Sequence, residues 1–500
     1  MPFVLLQILV IPLLATLVIF LGRKSWGYAA GWVVALAMSY TTILVLSVGF
    51  TVHRGEPLSE TYLLIEPGIH LGLLADGLSV PTLAIVCFLS AVLAFYSIHY
   101  IAHRVEVLYA QESADVRRSY YVRFFYLFPL FPVGFIGTIL STNLVSIYFF
   151  LEVLTLTLFF LMASFGYRER IKIAFVSLSW GIIGALLFLV AALMVYSQIQ
   201  TLEIAALGGL VGNPLVVGII SVFLISLIMK LALFPFHVWM PSVHAEHPTC
   251  IAGLLAIYAN LALYIIIRVL VLPLTTDFEP FSLPLMFLAL ITMVYGSLLT
   301  LAQTDIKRLA ACSTISQIAY SVLGVGALTV AGLEGGMFFF LSHILGKTLF
   351  FSTAGIVVYV TGIRDMRQLG GLAQKMPITA TLWIVGCMML SGFPPFSSFT
   401  AEWIMFTGIF ERGLVNSPSA IALGIGGLLA ILLTVSYSFG AAKKIFFGPL
   451  NPELQANETI RDPGWLMTAP LFAVAIISMV LGLYPQIIMD FLHTVLNVHL

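Results

Sequence analysis

The stretch Ser226–Thr249, SLIMKLALFPFHVWMPSVHAEHPT, decides how this chain is read. Its lysine, Lys230, ends an uncharged and mostly apolar run that begins at Pro214, and Pro235 follows within two turns. A charge at the centre of a bilayer costs about 2.5–3.5 kcal/mol on insertion scales, so an ionisable residue in such a run is a functional hypothesis by default. A proline there removes a backbone donor and clashes with the preceding turn. The helix is therefore expected to break, and non-helical backbone at membrane depth survives only where it is packed in protein or lines a wet cavity.

The rest of the chain supplies the membrane. Hydrophobic residues make up 61% of its 500 positions and charged residues 9%, against about 25% charged in an average soluble domain. Runs long enough to cross ~30 Å of hydrocarbon as helices recur throughout. About fourteen are expected, at 2–21, 27–50, 79–102, 122–140, 143–165, 173–197, 214–233, 250–271, 281–302, 308–330, 335–360, 377–410, 417–442 and 465–490. The linkers are short, so no soluble domain is expected. Met1–Leu6 carries no basic segment and no small-residue cleavage site follows, which argues for a retained first helix. Cys87, Cys250, Cys312 and Cys387 show no paired spacing for a disulfide or metal. No metal and no cofactor is expected, and zero net charge without a basic patch argues against nucleic acid.

Basic residues set the orientation. With both termini outside, Arg23, Lys24, Arg104, Arg117, Arg118, Arg123, Arg168, Arg170, Lys172, Lys307, Arg308, Arg364, Arg367, Lys375, Lys443, Lys444 and Arg461 fall on the cytoplasmic side. Only Arg54 and Arg412 fall clearly outside, an asymmetry that follows the retention of basic loops inside. Arg268, near the outer end of its span, is expected to snorkel to the interface.

A second break is expected in LSGFPPFSSFTAEW (Leu390–Trp403), at Gly392, Pro394 and Pro395. The two breaks lie in the seventh and twelfth spans. An offset of five reverses topology, so they predict two inverted five-helix repeats, spans four to eight (122–271) and nine to thirteen (280–445). Residues 1–121 would hold three preceding helices and 446–500 a last one. Paired broken helices in inverted halves point to a transport pathway.

Few ionisable residues lie inside spans: Glu152, Lys230, His343, Lys347 and Glu402. His343 and Lys347 are four apart and share a helical face. Burial brings a lysine and a carboxylate closer in proton affinity, so the five form a candidate proton relay. Each has a plainer reading. His343 alone would be a hydrogen-bonded packing residue, Glu152 with Lys230 a static ion pair, and Glu402 a snorkelling acid. His237, His244, Glu246 and His247 resemble a metal cluster, but no HExxH frame is present and a loop histidine is usually solvated.

With these residues in hand, the chain resembles the antiporter-like subunits of respiratory complex I, membrane-bound hydrogenases and Mrp-type cation/proton antiporters. The resemblance rests on KLALFPFHVWMPSVHAEHPT (Lys230–Thr249), QTDIKRLAACSTISQ (Gln303–Gln317), HILGKTLFFSTAG (His343–Gly355), DMRQLGGLAQKMP (Asp365–Pro377) and LLADGLS (Leu73–Ser79). It implies fourteen helices with inverted repeats, and a proton route from the fifth and seventh helices to the twelfth. Glu152, Lys230, His343 and Glu402 match family positions. The glutamate of SFTAEW is like subunit M-type chains of complex I, whereas Lys347 is more like L-type, Mrp and hydrogenase relatives. One departure stands out: in AIYANLALYIIIR, Asn260 occupies the place of a usual lysine eight residues before Arg268. Asparagine hydrogen-bonds but carries no proton, which implies a water-mediated relay, a bypass through His343 and Lys347, or an interrupted channel. His237 and His244 join Asn260 as supporting polar residues.

The resemblance implies an ion-translocating, non-catalytic subunit of a redox-driven membrane complex, holding no redox cofactor. Its partners would be other membrane subunits, homologous antiporter-like subunits among them, and peripheral redox subunits indirectly. Its ions would be protons, with sodium open, and its location an inner or energy-transducing organelle membrane. A subunit of a sodium/proton antiporter and a non-pumping scaffold are the alternatives.

Overall fold

The protein is described by a computed structural model that covers residues 3–65, 69–415 and 417–497. Thirteen helices among these residues are long and apolar enough to cross a membrane. In chain order, spans 1 to 8 are Val4–Leu21, Ala29–His53, Ser79–Leu108, Ala114–Leu140, Leu144–Phe165, Arg170–Ile199, Val216–Glu246 and Thr249–Val271. Spans 9 to 11 are Thr275–Leu301, Ile306–Gly326 and Val330–Thr361, and spans 13 and 14 are Pro418–Phe446 and Trp465–Leu483. The twelfth is divided between Pro377–Leu390, too short to cross alone, and Ser397–Val415, which carries Glu402, Glu411 and Arg412. The expected all-α polytopic fold holds, and a chain this apolar over so many helices is a multi-pass membrane protein.

Both expected breaks are present. Span 7 runs as helix over Val216–Leu231, leaves it at Ala232 with φ of 54°, and resumes at Met240–Glu246. The Phe234–Pro235 and Pro394–Pro395 bonds are cis. The freed backbone groups find partners, as membrane depth demands. Trp239 Nε1 donates to the Met229 carbonyl (3.1 Å), Phe234 N donates to Thr292 Oγ1 (3.1 Å), and the Ser398 hydroxyl donates to the Met389 carbonyl.

Spans 8 and 10 each hold an eighteen-residue stretch that is wholly buried, while under 40% of such a stretch is buried in spans 1, 6, 13 and 14. Span 11 is buried from Gly332 to Val358, and it crosses the second half of span 12 closely. At Gly335 a Cβ would fall 2.2 Å from the Met405 amide nitrogen, so the crossing needs a residue without one.

Three features differ from the sequence reading. A two-stranded antiparallel hairpin, Leu58–Ile65 with Ile69–Ala75, stands between spans 2 and 3. Its Glu60 carboxylate accepts the amides of Leu5 (3.1 Å) and Leu6 (2.9 Å), which caps the first span with an anion at its positive end. The last expected span, 465–490, ends earlier, and Pro485 starts a separate helix, Gln486–Leu496. Finally, Arg268 does not snorkel. It pairs with Asp76 through two hydrogen bonds of 2.6 Å, one to each carboxylate oxygen, at a 192-residue separation. Burial acts against the Asp76 carboxylate, but the adjoining guanidinium prevails and holds it below its ordinary value.

Several basic residues assigned to the cytoplasmic side are also buried. Lys307 is fully buried, donating to the His247 carbonyl (2.5 Å) with its amine 3.7 Å from the Tyr167 ring centre. Arg364 pairs with Glu246 (3.0 Å) and Asp305 (2.8 Å), tying the end of span 7 to the start of span 10.

Candidate functional site: a buried polar row

Lys230 lies on the last turn of the first half of span 7, where the negative end of the helix dipole favours a cation. It is 3% exposed. Its amine donates to the Tyr258 hydroxyl of span 8 (3.4 Å) and sits 5.0 Å from that ring's centre. The Tyr258 hydroxyl in turn lies 3.4 Å from Thr155 Oγ1 on span 5. A small cavity lined by Ser177, Trp180, Lys230 and Tyr258, among others, offers about 10 Å³ to water centres, roughly the room for one water molecule.

Glu152, one turn before Thr155, is partly buried and feels the charge of Lys230, yet no salt bridge joins the two. The static ion pair weighed from sequence is therefore not the arrangement found. Lys230 reaches span 5 through Tyr258 and Thr155, one turn along the helix from Glu152.

His343 and Lys347 share one face of span 11, as their spacing predicts, and both are buried. Lys347 donates to Ser313 Oγ (2.5 Å) and to the Ala310 carbonyl (3.2 Å) of span 10. His343 Nδ1 lies 3.2 Å from Asn260 Nδ2. Asn260 Nδ2 also donates to the Ala256 carbonyl (2.7 Å), which fixes the amide with its nitrogen toward the histidine. Nδ1 is then the acceptor, and the imidazole proton sits on Nε2, which has no hydrogen-bond partner in the protein. Asn260 thus selects a histidine tautomer, a role open to an amide that carries no proton.

His244 is fully buried, and neither of its ring nitrogens has a partner; the same holds for His247. The expectation of solvated loop histidines fails because the second half of span 7 re-enters the helical core rather than forming a loop. Lys347 acts electrostatically on both His244 and His343. His237, at the break, packs 4.8 Å from the Tyr295 ring and stands apart from the row. Glu246 is occupied by Arg364 and by the Arg168 amide (2.8 Å). Among the described residues no group of three or more His, Cys, Asp or Glu is placed to hold a metal.

Glu402, 8% exposed, stands in the second half of span 12 and lines a cavity of about 430 Å³ between Phe399, Trp403, Phe406 and Leu428. Gly392, with φ of 63°, makes its room: a Cβ there would fall 2.1 Å from Glu402 Oε2. The acid acts on the hydroxyls of Tyr320 and Tyr437. Behind them Gln317 Nε2 donates to Thr434 Oγ1 (3.1 Å) and to the Tyr437 hydroxyl (3.3 Å). Sequence reasoning missed Tyr258, Ser313, Gln317, Tyr320 and Tyr437. A signal existed for span 10, whose CSTISQIAYS (Cys312–Ser321) makes it the least apolar of the thirteen, yet it is buried from Leu309 to Gly326.

The chain matches the family described as NADH:quinone oxidoreductase/Mrp antiporter, TM, over residues 141–428. It is 26% identical to NADH-quinone oxidoreductase subunit M of Rickettsia prowazekii over 97% of this chain and 96% of that one. Its fold superposes on a chain of the Mrp complex of Dietzia sp. with a TM-score of 0.86, at 19% identity over 99% of this chain and 97% of that chain. A chain of respiratory complex I from Thermus thermophilus gives a TM-score of 0.85 at 21% identity, over 99% and 98%.

Proposed function

Because the chain belongs to the NADH:quinone oxidoreductase/Mrp antiporter membrane family, we propose that this antiporter-like subunit moves protons through Glu152, Lys230, His343, Lys347 and Glu402 as part of a redox-driven membrane complex. The observation that carries the reading is a lysine amine, 3% exposed, hydrogen-bonded to a tyrosine beside a water-sized cavity and held by no salt bridge. A structural lysine would be neutralised by a directly bonded acid, because an unpaired buried charge is costly. One held by a hydroxyl and a water-sized space is free to give up its proton and take another.

In this reading Lys230 receives a proton from the side of Glu152 and passes it toward the span 8 to span 11 layer. His343 takes a proton at Nδ1 when the Asn260 amide releases that nitrogen and gives up the one on Nε2, and Lys347 is the neighbouring store. From there the hydroxyls and amide of Gln317, Tyr320, Thr434 and Tyr437 lead toward Glu402. Motion of one elementary charge across 100 mV costs about 2.3 kcal/mol, so the work must come from outside the chain. A partner that shifts the field at Glu152 supplies it, and the redox chemistry belongs to that partner's neighbours.

The inverted repeats, 122–271 and 280–445, belong to the same proposal, supported by the matching breaks at Pro235 and at Pro394–Pro395. So does the placement of both termini on the outer face of an energy-transducing membrane, supported by the distribution of basic loops. A sodium/proton antiporter subunit is the second reading, favoured by the Mrp-complex likeness. Proton flux of the complex in vesicles, with and without sodium, together with the subunits that copurify in mild detergent, separates them. Sodium-independent flux with iron–sulfur subunits supports the redox reading, and sodium-dependent flux without them overturns it.

A further inference from the structure

A second polar cavity lies among the basic loops. It has a volume of about 260 Å³ and is walled by the ends of spans 3 and 11 and the turn after span 5. Three guanidinium groups line it, from Arg104, Arg168 and Arg364, and no carboxylate does. Their hydrogen-bonding capacity is only partly used. Arg104, 9% exposed, donates Nε to the Phe165 carbonyl (3.2 Å) and Nη2 to the Gly166 carbonyl (2.6 Å), which leaves Nη1 free. Arg364 commits Nη1 to Glu246 and Nε to Asp305, which leaves Nη2. The Arg168 side chain makes no hydrogen bond or ion pair.

Guanidinium forks with unused donors around one cavity fit phosphate oxygens. What adjoins them fits a lipid. A second cavity of about 440 Å³ shares His103 and Tyr359 with the first and continues along spans 2 and 3, between Tyr28, Trp32 and Ile98. Trp32 and Tyr28 are 42% and 58% exposed, at the level where amphipathic rings sit between headgroups and chains. Glu106 stands in that second cavity and is exposed to solvent, so its charge opposes an anion less than the three arginines favour one.

We propose that the Arg104–Arg168–Arg364 cavity holds the phosphate of an anionic glycerophospholipid, whose glycerol and first acyl carbons lie against Trp32. The site would anchor spans 2, 3 and 11 to one lipid on the basic face of the membrane.

The intact complex in mild detergent is titrated with dioleoyl phosphatidylglycerol, dioleoyl phosphatidylcholine or inorganic phosphate, and bound lipid is counted by native mass spectrometry. The exposed Arg168 is the decisive position, since Arg104→Gln also removes two backbone contacts. Arg168→Gln is expected to weaken phosphatidylglycerol binding about fivefold and to leave phosphatidylcholine unchanged. Trp32→Ala is expected to weaken the lipid but not inorganic phosphate. The proposal is overturned if phosphatidylglycerol and phosphatidylcholine bind wild type equally, if Arg168→Gln binds phosphatidylglycerol as wild type does, or if inorganic phosphate displaces the lipid and Trp32→Ala has no effect.

Discussion

Replacing Lys230 by methionine separates a relay residue from a structural one. The amine makes one hydrogen bond, at 3.4 Å, and one ring contact, at 5.0 Å, and no salt bridge. Loss of the ring contact costs about 0.5–2 kcal/mol. Removal of a buried charge in favour of an apolar group of similar volume is neutral or stabilising by about 1–4 kcal/mol. The two effects offset, so the variant should fold and assemble. Proton movement should not survive, because a positioned proton donor is worth about 10²–10⁴ in rate. Flux through this subunit is expected to fall at least ~100-fold. The assay is acidification of vesicles by the reconstituted complex, with assembly followed by native electrophoresis. Undiminished flux would refute the reasoning. So would failed assembly, since a lysine acting as a structural tie to Glu152 would cost about 3–5 kcal/mol when lost.

Three further outcomes follow from the geometry. Gly392→Ala puts a methyl where Glu402 Oε2 lies, at a backbone φ of 63°; the left-handed conformation alone costs about 1–2 kcal/mol, and both thermal midpoint and proton flux should fall. Asn260→Leu leaves His343 Nδ1 without its donor and removes the side-chain bond to the Ala256 carbonyl, so thermal unfolding should show a loss of about 1–3 kcal/mol, with flux reduced because the tautomer is no longer set. Asp76→Asn breaks the bidentate pair with Arg268 and should destabilise by about 3–5 kcal/mol. Its pH dependence has a definite sign: the folded carboxylate lies below the ordinary value of 3.8, so its contribution is fully present above that value and is lost as pH falls through the folded one. Melting curves of wild type and Asp76→Asn should therefore differ by a constant amount from pH 5 to 8 and converge only in stronger acid.

The membrane fold and both helix breaks were legible because hydropathy and proline act locally: a long apolar run or a Pro235 constrains the backbone whatever surrounds it. The same locality put Lys230, His343, Lys347 and Glu402 inside spans, where the structure has them. What sequence could not show was contact at long separation. Asp76 and Arg268 meet across 192 residues, and without that pairing Arg268 reads as a snorkelling end. His244 and His247 sit in what reads as a loop, and Lys307 and Arg364 beside span ends on the cytoplasmic side, but re-entry of span 7 after Pro235 buries them. Tyr258 and Gln317 looked like ordinary span residues because hydroxyls and amides cost little in a helix; only the facing helices reveal what they bond. The strands Leu58–Ile65 and Ile69–Ala75 are short and mostly apolar, without the regular alternation that would make them stand out.

The central claim, that Lys230 exchanges its proton during turnover, is tested most directly by infrared difference spectroscopy of the complex at work, with ¹⁵N-labelled lysine. The expected result is a turnover-dependent ammonium band that shifts with the label and disappears in Lys230→Met. A spectrum in which that band is absent while proton flux continues, or in which Lys230→Met leaves it unchanged, would contradict the account.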